Sequence, residues 1–104
     1  MRNILKKLFD AGPSENFKEL TKKGAVIVDV RTAAEFKMGH IKDAINVSLD
    51  TINNQLPMIK KLNKPVIAVC RSGNRSGIAV NVLKKAGIAA YNGGAWDLLK
   101  SKIA

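Results

Sequence analysis

The sequence of 104 residues has little cysteine, histidine, aromatic side chain or acid: it holds one Cys, one His, one Trp, one Tyr, three Phe and 8 Asp+Glu. One thiol cannot close a bridge within the chain, and one Cys with one His cannot supply the ligands of a zinc site. No zinc site is expected. The scarcity of aromatics leaves little to stack on bases, and no nucleic-acid motif is present, so nucleic acid is not an expected partner. No apolar run approaches the ~20 residues of a membrane span. Near the N-terminus, Lys6 and Lys7 break the apolar series before it reaches the length a secretory signal needs. The expectation is a retained N-terminus, no membrane partner and, for a lone thiol, a reducing cytoplasmic compartment.

What is present fits one domain. A chain of this length buries roughly 65% of the surface its unfolded form exposes, enough for one core, and 46% hydrophobic residues argue against disorder. The shortage of acid leaves a formal charge of +10. Residues 53–104 carry most of it, with Asp97 as their only acid. Such a field favours anionic partners, from small anions to an acidic protein.

Ile4, Leu5, Leu8 and Phe9 share one face of a short helix whose other face carries lysines, read as an N-terminal extension over residues 1–12. The domain proper is expected from residue 13 to 104. Gly12-Pro13 breaks the first helix, Ser14 can cap a second one carrying Phe17 and Leu20, and Gly24 suits its exit. Strands are expected at 25–30, 44–47, 66–69 and 88–91. Between them, Thr32 to Glu35 reads as a capping box opening a helix to Met38. Helical spacing over 51–61 is interrupted by Pro57, expected to start a new turn. Further helices are expected at 76–86 and 95–103. Strands alternating with helices imply parallel pairing with right-handed crossovers, hence an α/β fold with a central parallel sheet of four to five strands.

Cys70 ends the third expected strand, and Arg71-Ser72-Gly73-Asn74-Arg75 separates it from the helix beginning near Ser76. The carboxyl end of a strand is where open α/β sheets bind ligands. A tight turn there aims backbone N–H groups inward as an anion nest, and the next helix adds its positive end. Gly73 allows the positive φ such a turn needs. A thiolate held at the centre would be stabilised and its pKa lowered.

Asp29-Val30-Arg31, Glu35-Phe36, Gly39-His40-Ile41, Ala44-Ile45-Asn46-Val47, the loop from Cys70 to Ser76, and Asn92-Gly93-Gly94 with Trp96 together resemble a single-domain rhodanese of the thiosulfate sulfurtransferase family. The resemblance runs from Ser14 to Trp96 and implies that no metal or organic cofactor is needed. It implies a rhodanese-like fold with helices on both faces of the sheet and transfer of a sulfane sulfur through a Cys70 persulfide, from thiosulfate or a related small anionic donor to cyanide or another thiophilic acceptor. It also implies a cradle of Arg71, Ser72, Gly73, Asn74, Arg75 and Ser76, with Arg71 meeting the outgoing sulfite. Asp29 and Arg31 are expected to support the loop as a buried pair, and His40 to make a structural hydrogen bond rather than act as a base. Phosphatases of related fold place five residues between Cys and Arg, whereas Arg75 follows Cys70 after four, which favours sulfur over phosphate. A persulfide carrier loaded by a partner protein is the alternative to an enzyme acting on free donors, and the charge suits an acidic protein as sulfur donor or acceptor. Monomer is the default for one compact domain. Most of the positive charge is expected to draw small sulfur anions toward the thiolate.

Overall fold

A computed structural model describes residues 16–104. The expected helix within residues 1–12, the Gly12-Pro13 break, the Ser14 cap and the boundary at residue 13 lie outside the described residues. The elements are α1 (Phe17–Lys22), β1 (Val26–Asp29), α2 (Ala33–Met38), β2 (Ile45–Asn46), a 3₁₀ turn (Leu49–Thr51), α3 (Ile52–Leu62), β3 (Val66–Cys70), α4 (Asn74–Lys85), β4 (Ala90–Ala95) and α5 (Trp96–Ile103). The sheet order is β2-β1-β3-β4 with every neighbour parallel. Parallel strands need a crossover each time, so all four strands end at the same side of the molecule, where β1 and β3 release Arg31 and Arg71.

Burial on both faces follows from the residue types of β3. Val66, Ile67, Ala68, Val69 and Cys70 are all buried. Val66, Ala68 and Cys70 join Val28, Ile52, Ile59, Ala79 and Leu83 in one core beneath α3 and α4. Ile67 and Val69 alternate to the other face, against Leu99 with Phe17, Leu20 and Trp96 of α1 and α5. A strand apolar at every position is thereby covered twice, as parallel sheets require.

Local chemistry sets the element ends. Asn16 caps α1, its Oδ1 accepting the Glu19 N–H at 3.0 Å. At α2, Thr32 and Glu35 form the expected reciprocal capping box. Pro57 does not start a new turn: α3 runs unbroken through it. The proline forgoes one N–H bond to the carbonyl of Asn53, an exposed residue that water can serve, while Ile52 and Ile59 anchor the helix in the core. Helix α4 begins earlier than its apolar pattern indicates, at Asn74, with Gly73 at φ +103° as its N-cap. Strand β4 extends through Asn92, Gly93 and Gly94 because a register shift lets Val69 pair with Gly94. A Cβ at Gly93 would lie 2.7 Å from Ile67 Cγ2, so this bulge requires glycine.

Candidate active site

The site is assembled where β1, β3 and β4 end. Cys70 is the last residue of β3 and is 1% exposed. The chain then turns through Arg71, Ser72 and Gly73 straight into α4, so the first turn of that helix belongs to the loop. The Gly73 N–H donates to Cys70 Sγ at 3.0 Å and the Ser76 N–H at 3.4 Å. Both are amides that the start of a helix leaves without an intrahelical partner, and they converge on the sulfur with the helix's positive end behind them. Burial pushes the Cys70 thiol up, but the Ser76 hydroxyl and the N–H groups of Ser76, Gly73 and Ser72 outweigh it, and the thiol lies below its ordinary value.

Ser76 is fully buried, with its Oγ 3.4 Å from Cys70 Sγ and 2.7 Å from Asn92 Oδ1. The amide of Asn92 is oriented by two further bonds: Oδ1 accepts from the Gly94 N–H at 2.9 Å and Nδ2 donates to the Gly73 carbonyl at 3.1 Å. Its oxygen therefore faces Ser76 and takes the hydroxyl proton. A Cys70 thiol donates to the remaining Ser76 lone pair; a thiolate instead draws the hydroxyl proton from Asn92. Asn92 ties the loop to β4, a role the strand boundary expected at Tyr91 does not anticipate.

Arg75 is not a free donor over the loop. Its guanidinium meets Glu35 of α2 through two bonds, Nη1 to Oε1 at 2.8 Å and Nη2 to Oε2 at 3.0 Å. Bonding from Arg75, with help from the Thr32 N–H, lowers the Glu35 carboxyl to about 2. The same residue that boxes the N-terminus of α2 thus clamps the loop after Cys70 from 40 positions earlier in the chain.

Asp29 and Arg31 form the buried pair expected of them, 0% and 5% exposed. Arg31 Nε lies 2.9 Å from Asp29 Oδ1 and Nη2 lies 2.7 Å from Oδ2. Nη2 also reaches the Gly39 carbonyl at 2.8 Å, and the guanidinium lies 4.7 Å from the centre of the Trp96 ring. The pair joins the ends of β1, α2 and β4. His40 is exposed, bonds the Phe36 carbonyl through Nδ1 at 2.7 Å and stacks on the Phe36 ring. These contacts hold it at the exit of its own helix.

Above the loop lies a cleft of about 370 Å³ lined by Arg31, Glu35, Met38, Arg71, Trp96 and Asp97. Asp97 and Met38 were not among the sequence candidates, because nothing in their local pattern marks them: they meet only when the end of α2 and the start of α5 come to the same side of the sheet. Ser72 and Asn74 are exposed beside this mouth. Among the described residues no three His, Cys, Asp or Glu side chains gather as a metal site needs.

The pair Arg75–Glu35 is charged throughout the neutral and mildly acidic range. A carboxyl with a depressed folded pKa contributes above its usual value of 4.5, and this contribution is lost only as pH falls through about 2. The rate of Cys70 alkylation by iodoacetamide should therefore follow a single rise with pH, with its midpoint below that of an ordinary thiol at about 8.5. A midpoint at or above that value contradicts the donor geometry.

The positive charge is placed differently from expectation. Of the basic residues in the second half of the chain, Lys60, Lys61, Lys64, Lys84 and Lys85 flank the starts of β3 and β4, the side opposite Cys70. At about 3.3 Å per residue, Lys64 and Cys70 are roughly 20 Å apart along the strand, beyond a Debye length of about 8 Å. Lys100 and Lys102 fall in the last turn of α5, away from the catalytic end where that helix begins. With Arg31 paired to Asp29 and Arg75 to Glu35, Arg71 is the remaining cation among the described residues that line the cleft.

The rhodanese-like domain model matches residues 13–98 of the chain. A thiosulfate sulfurtransferase GlpE of Pseudomonas savastanoi is 37% identical over 68% of this chain and 66% of its own length. The adenylyltransferase and sulfurtransferase UBA4 of Candida glabrata is 32% identical over 64% of this chain, which spans 17% of that larger protein. The chain thus spans under two thirds of the length of these relatives. Among solved structures, a rhodanese-like domain protein from Staphylococcus aureus superposes with a TM-score of 0.66 at 32% identity, covering 93% of this chain and 83% of the other.

Proposed function

The chain belongs to the rhodanese-like domain family, and from that premise we propose that it is a sulfurtransferase acting through a persulfide on Cys70, with thiosulfate or a related anion as donor. The Cys70 thiolate attacks the outer sulfur of thiosulfate. A new S–S bond forms, the old one breaks, and its electron pair leaves with sulfite. Cyanide or another thiophile then attacks the terminal sulfur of the persulfide, and the S–S electron pair returns to Cys70, giving thiocyanate and the original thiolate. No net oxidant or reductant is needed. Covalent catalysis divides the transfer between two partners that never meet.

The observation that carries this reading is the loop itself: a buried sulfur that accepts the N–H groups of Gly73 and Ser76 and is lowered in pKa by them. The same amides, with that of Ser72, serve the persulfide's terminal charge as an oxyanion hole serves an oxygen. Arg71 receives the sulfite. Arg75 shapes the cradle through Glu35, and Asn74 opens the helix that carries the amides. Four residues between Cys70 and Arg75 suit a sulfur better than a tetrahedral phosphate. Thiocyanate release from thiosulfate and cyanide tests the activity; release of phosphate from an aryl phosphate with no thiocyanate would overturn it.

The UBA4 relative, in which the matched region is a small part of a larger sulfurtransferase, favours a second reading, a carrier loaded by a partner protein. Persulfide would then form on Cys70 only with that partner as donor. In either reading we place the chain in a reducing cytoplasm as a monomer.

The placement of charge carries its own prediction. Among the described residues that line the cleft, Arg71 is the one cation without an ion-pair partner, so the rate of sulfur loading from thiosulfate should change less than about threefold between low and physiological salt. A steep decline would restore the long-range field the sequence analysis anticipates.

A further inference from the structure

The lysine-rich end opposite Cys70 holds none of the residues of the proposed transfer site. Three helices, α1, α3 and α4, finish there and lead into β1, β3 and β4. Their connections, residues 22–25, 60–65 and 84–89, hold Lys22, Lys23, Lys60, Lys61, Lys64, Lys84 and Lys85. Every Asp and Glu among the described residues lies elsewhere in the chain. The ion pairs among the described residues, Arg31–Asp29 and Arg75–Glu35, use no lysine.

Lysines at helix C-termini have an ordinary explanation, since they complement the macrodipole. The magnitudes show that it falls short here. Three helix ends supply roughly −1.5 of charge at about −0.5 each, against seven lysines. With Glu19 one turn before Lys22 and Lys23 on α1, about four positive charges remain uncompensated at this end. The lysines also converge: Lys64 Nζ lies 3.6 Å from where a Cβ would stand on Gly24, and Lys60 Nζ 3.9 Å from the same point on Gly87. Lys60 and Lys64 thus reach toward the ends of α4 and α1, over a cleft of about 340 Å³ that Asn63, Pro65 and Ile88 also line.

We propose that this end is a docking surface for the phosphodiester backbone of duplex nucleic acid, bound without sequence preference. The composition selects this occupant. Protein interfaces concentrate aromatic residues, Met and Arg at their centre and are poor in Lys, whereas these three connections contain Lys with no Arg, aromatic or Met. A membrane surface held by lysines needs an apolar anchor as a second signal, and among the described residues the exposed large apolar side chains Met38, Met58, Ile78 and Leu98 all lie outside these connections. The same lack of aromatics gives single strands no stacking platform, whereas a duplex offers one phosphate per about 1.7 Å of axis to point charges alone. Nucleic acid is set aside at the sequence level for want of aromatics and motifs. Backbone binding requires neither, only lysines gathered on one face.

The test is anisotropy of a fluorescein-labelled DNA duplex of random sequence titrated with the full chain at several salt concentrations, paired with lysine acetylation footprinting. Micromolar binding at low salt is expected, with log K falling linearly in log salt. The triple variant Lys60→Gln, Lys64→Gln, Lys85→Gln should bind at least about tenfold more weakly and lose about 2 to 3 from that slope. Lys37→Gln with Lys42→Gln, beside the C-terminal half of β1, should bind as wild type. Footprinting of the wild-type chain needs no variant: the duplex should protect Lys60, Lys64 and Lys85 and leave Lys37 and Lys42 reactive. Saturating duplex should leave Cys70 alkylation unchanged. The proposal is overturned by absence of duplex binding at low salt, by equal protection of all lysines, or by binding confined to polyglutamate or to anionic phospholipid vesicles.

Discussion

Cys70→Ser should abolish sulfur transfer while leaving the fold intact. The hydroxyl that replaces the thiol is a far weaker nucleophile at neutral pH and cannot form the persulfide on which both half-reactions depend. Removal of a covalent nucleophile elsewhere costs on the order of 10⁴-fold or more in rate, and a loss of at least that size is expected here in thiocyanate formation. The fold should survive because the two volumes are close and a serine oxygen can accept the Gly73 and Ser76 N–H groups that now meet Sγ. Equal thermal unfolding of variant and wild type separates the chemical effect from a structural one. Residual turnover within tenfold of wild type would place the nucleophile elsewhere, which the presence of a single cysteine makes hard to accommodate.

The largest effect on stability is expected at Asp29, whose side chain bonds Arg31 and forms no hydrogen bond with Cys70. Asp29→Asn keeps the shape of the side chain but removes its charge, leaving the Arg31 guanidinium 5% exposed without its anion. Breaking one side of a buried pair costs about 3–5 kcal/mol. In a chain of about this size each kcal/mol corresponds to about 4–8 °C, so the melting temperature should fall by more than about 10 °C. The loss is large because Arg31 also holds the Gly39 carbonyl and lies against Trp96, joining three elements around the mouth of the cleft. Replacing both partners, Asp29→Leu with Arg31→Met, should recover much of the stability, since no lone charge is then buried. It should not recover full activity, because the exit of α2 and the Trp96 wall lose their brace. Denaturant titration checks both; a single variant within about 1 kcal/mol of wild type contradicts the account of the pair.

Periodicity and capping made much of this fold legible. The unbroken apolar run Val66 to Val69 marked a strand, and Thr32 with Glu35 marked the start of α2 by a reciprocal bond that needs only local geometry. Pro57 was misread because a single proline is a local signal, whereas burial of Ile52 and Ile59 on one helical face is a tertiary one, and the tertiary term won. The extension of β4 through Gly93 was hidden because glycines signal a turn unless a neighbouring strand requires their lack of a Cβ, as Ile67 does here.

At the site, Cys70, Gly73 and Ser76 were legible from their place between a strand and a helix. The engagement of Arg75 by Glu35 and of Ser76 by Asn92 was not, since each joins residues far apart in sequence through the sheet order. Charge was legible as a sum and misplaced as a field. Dividing the chain in half put the lysines with Cys70 along the sequence, but parallel strands send residues that precede a strand and residues that follow it to opposite ends of the molecule. The lysine pairs precede strands, and Cys70 ends one.

The most direct test of the central claim is the intact mass of the wild-type protein after incubation with thiosulfate, with the modified peptide then mapped. The account predicts a gain of one sulfur atom on Cys70, removed by cyanide as thiocyanate. No gain from thiosulfate, from an organic persulfide or from a desulfurase carrying protein-bound sulfur would contradict it.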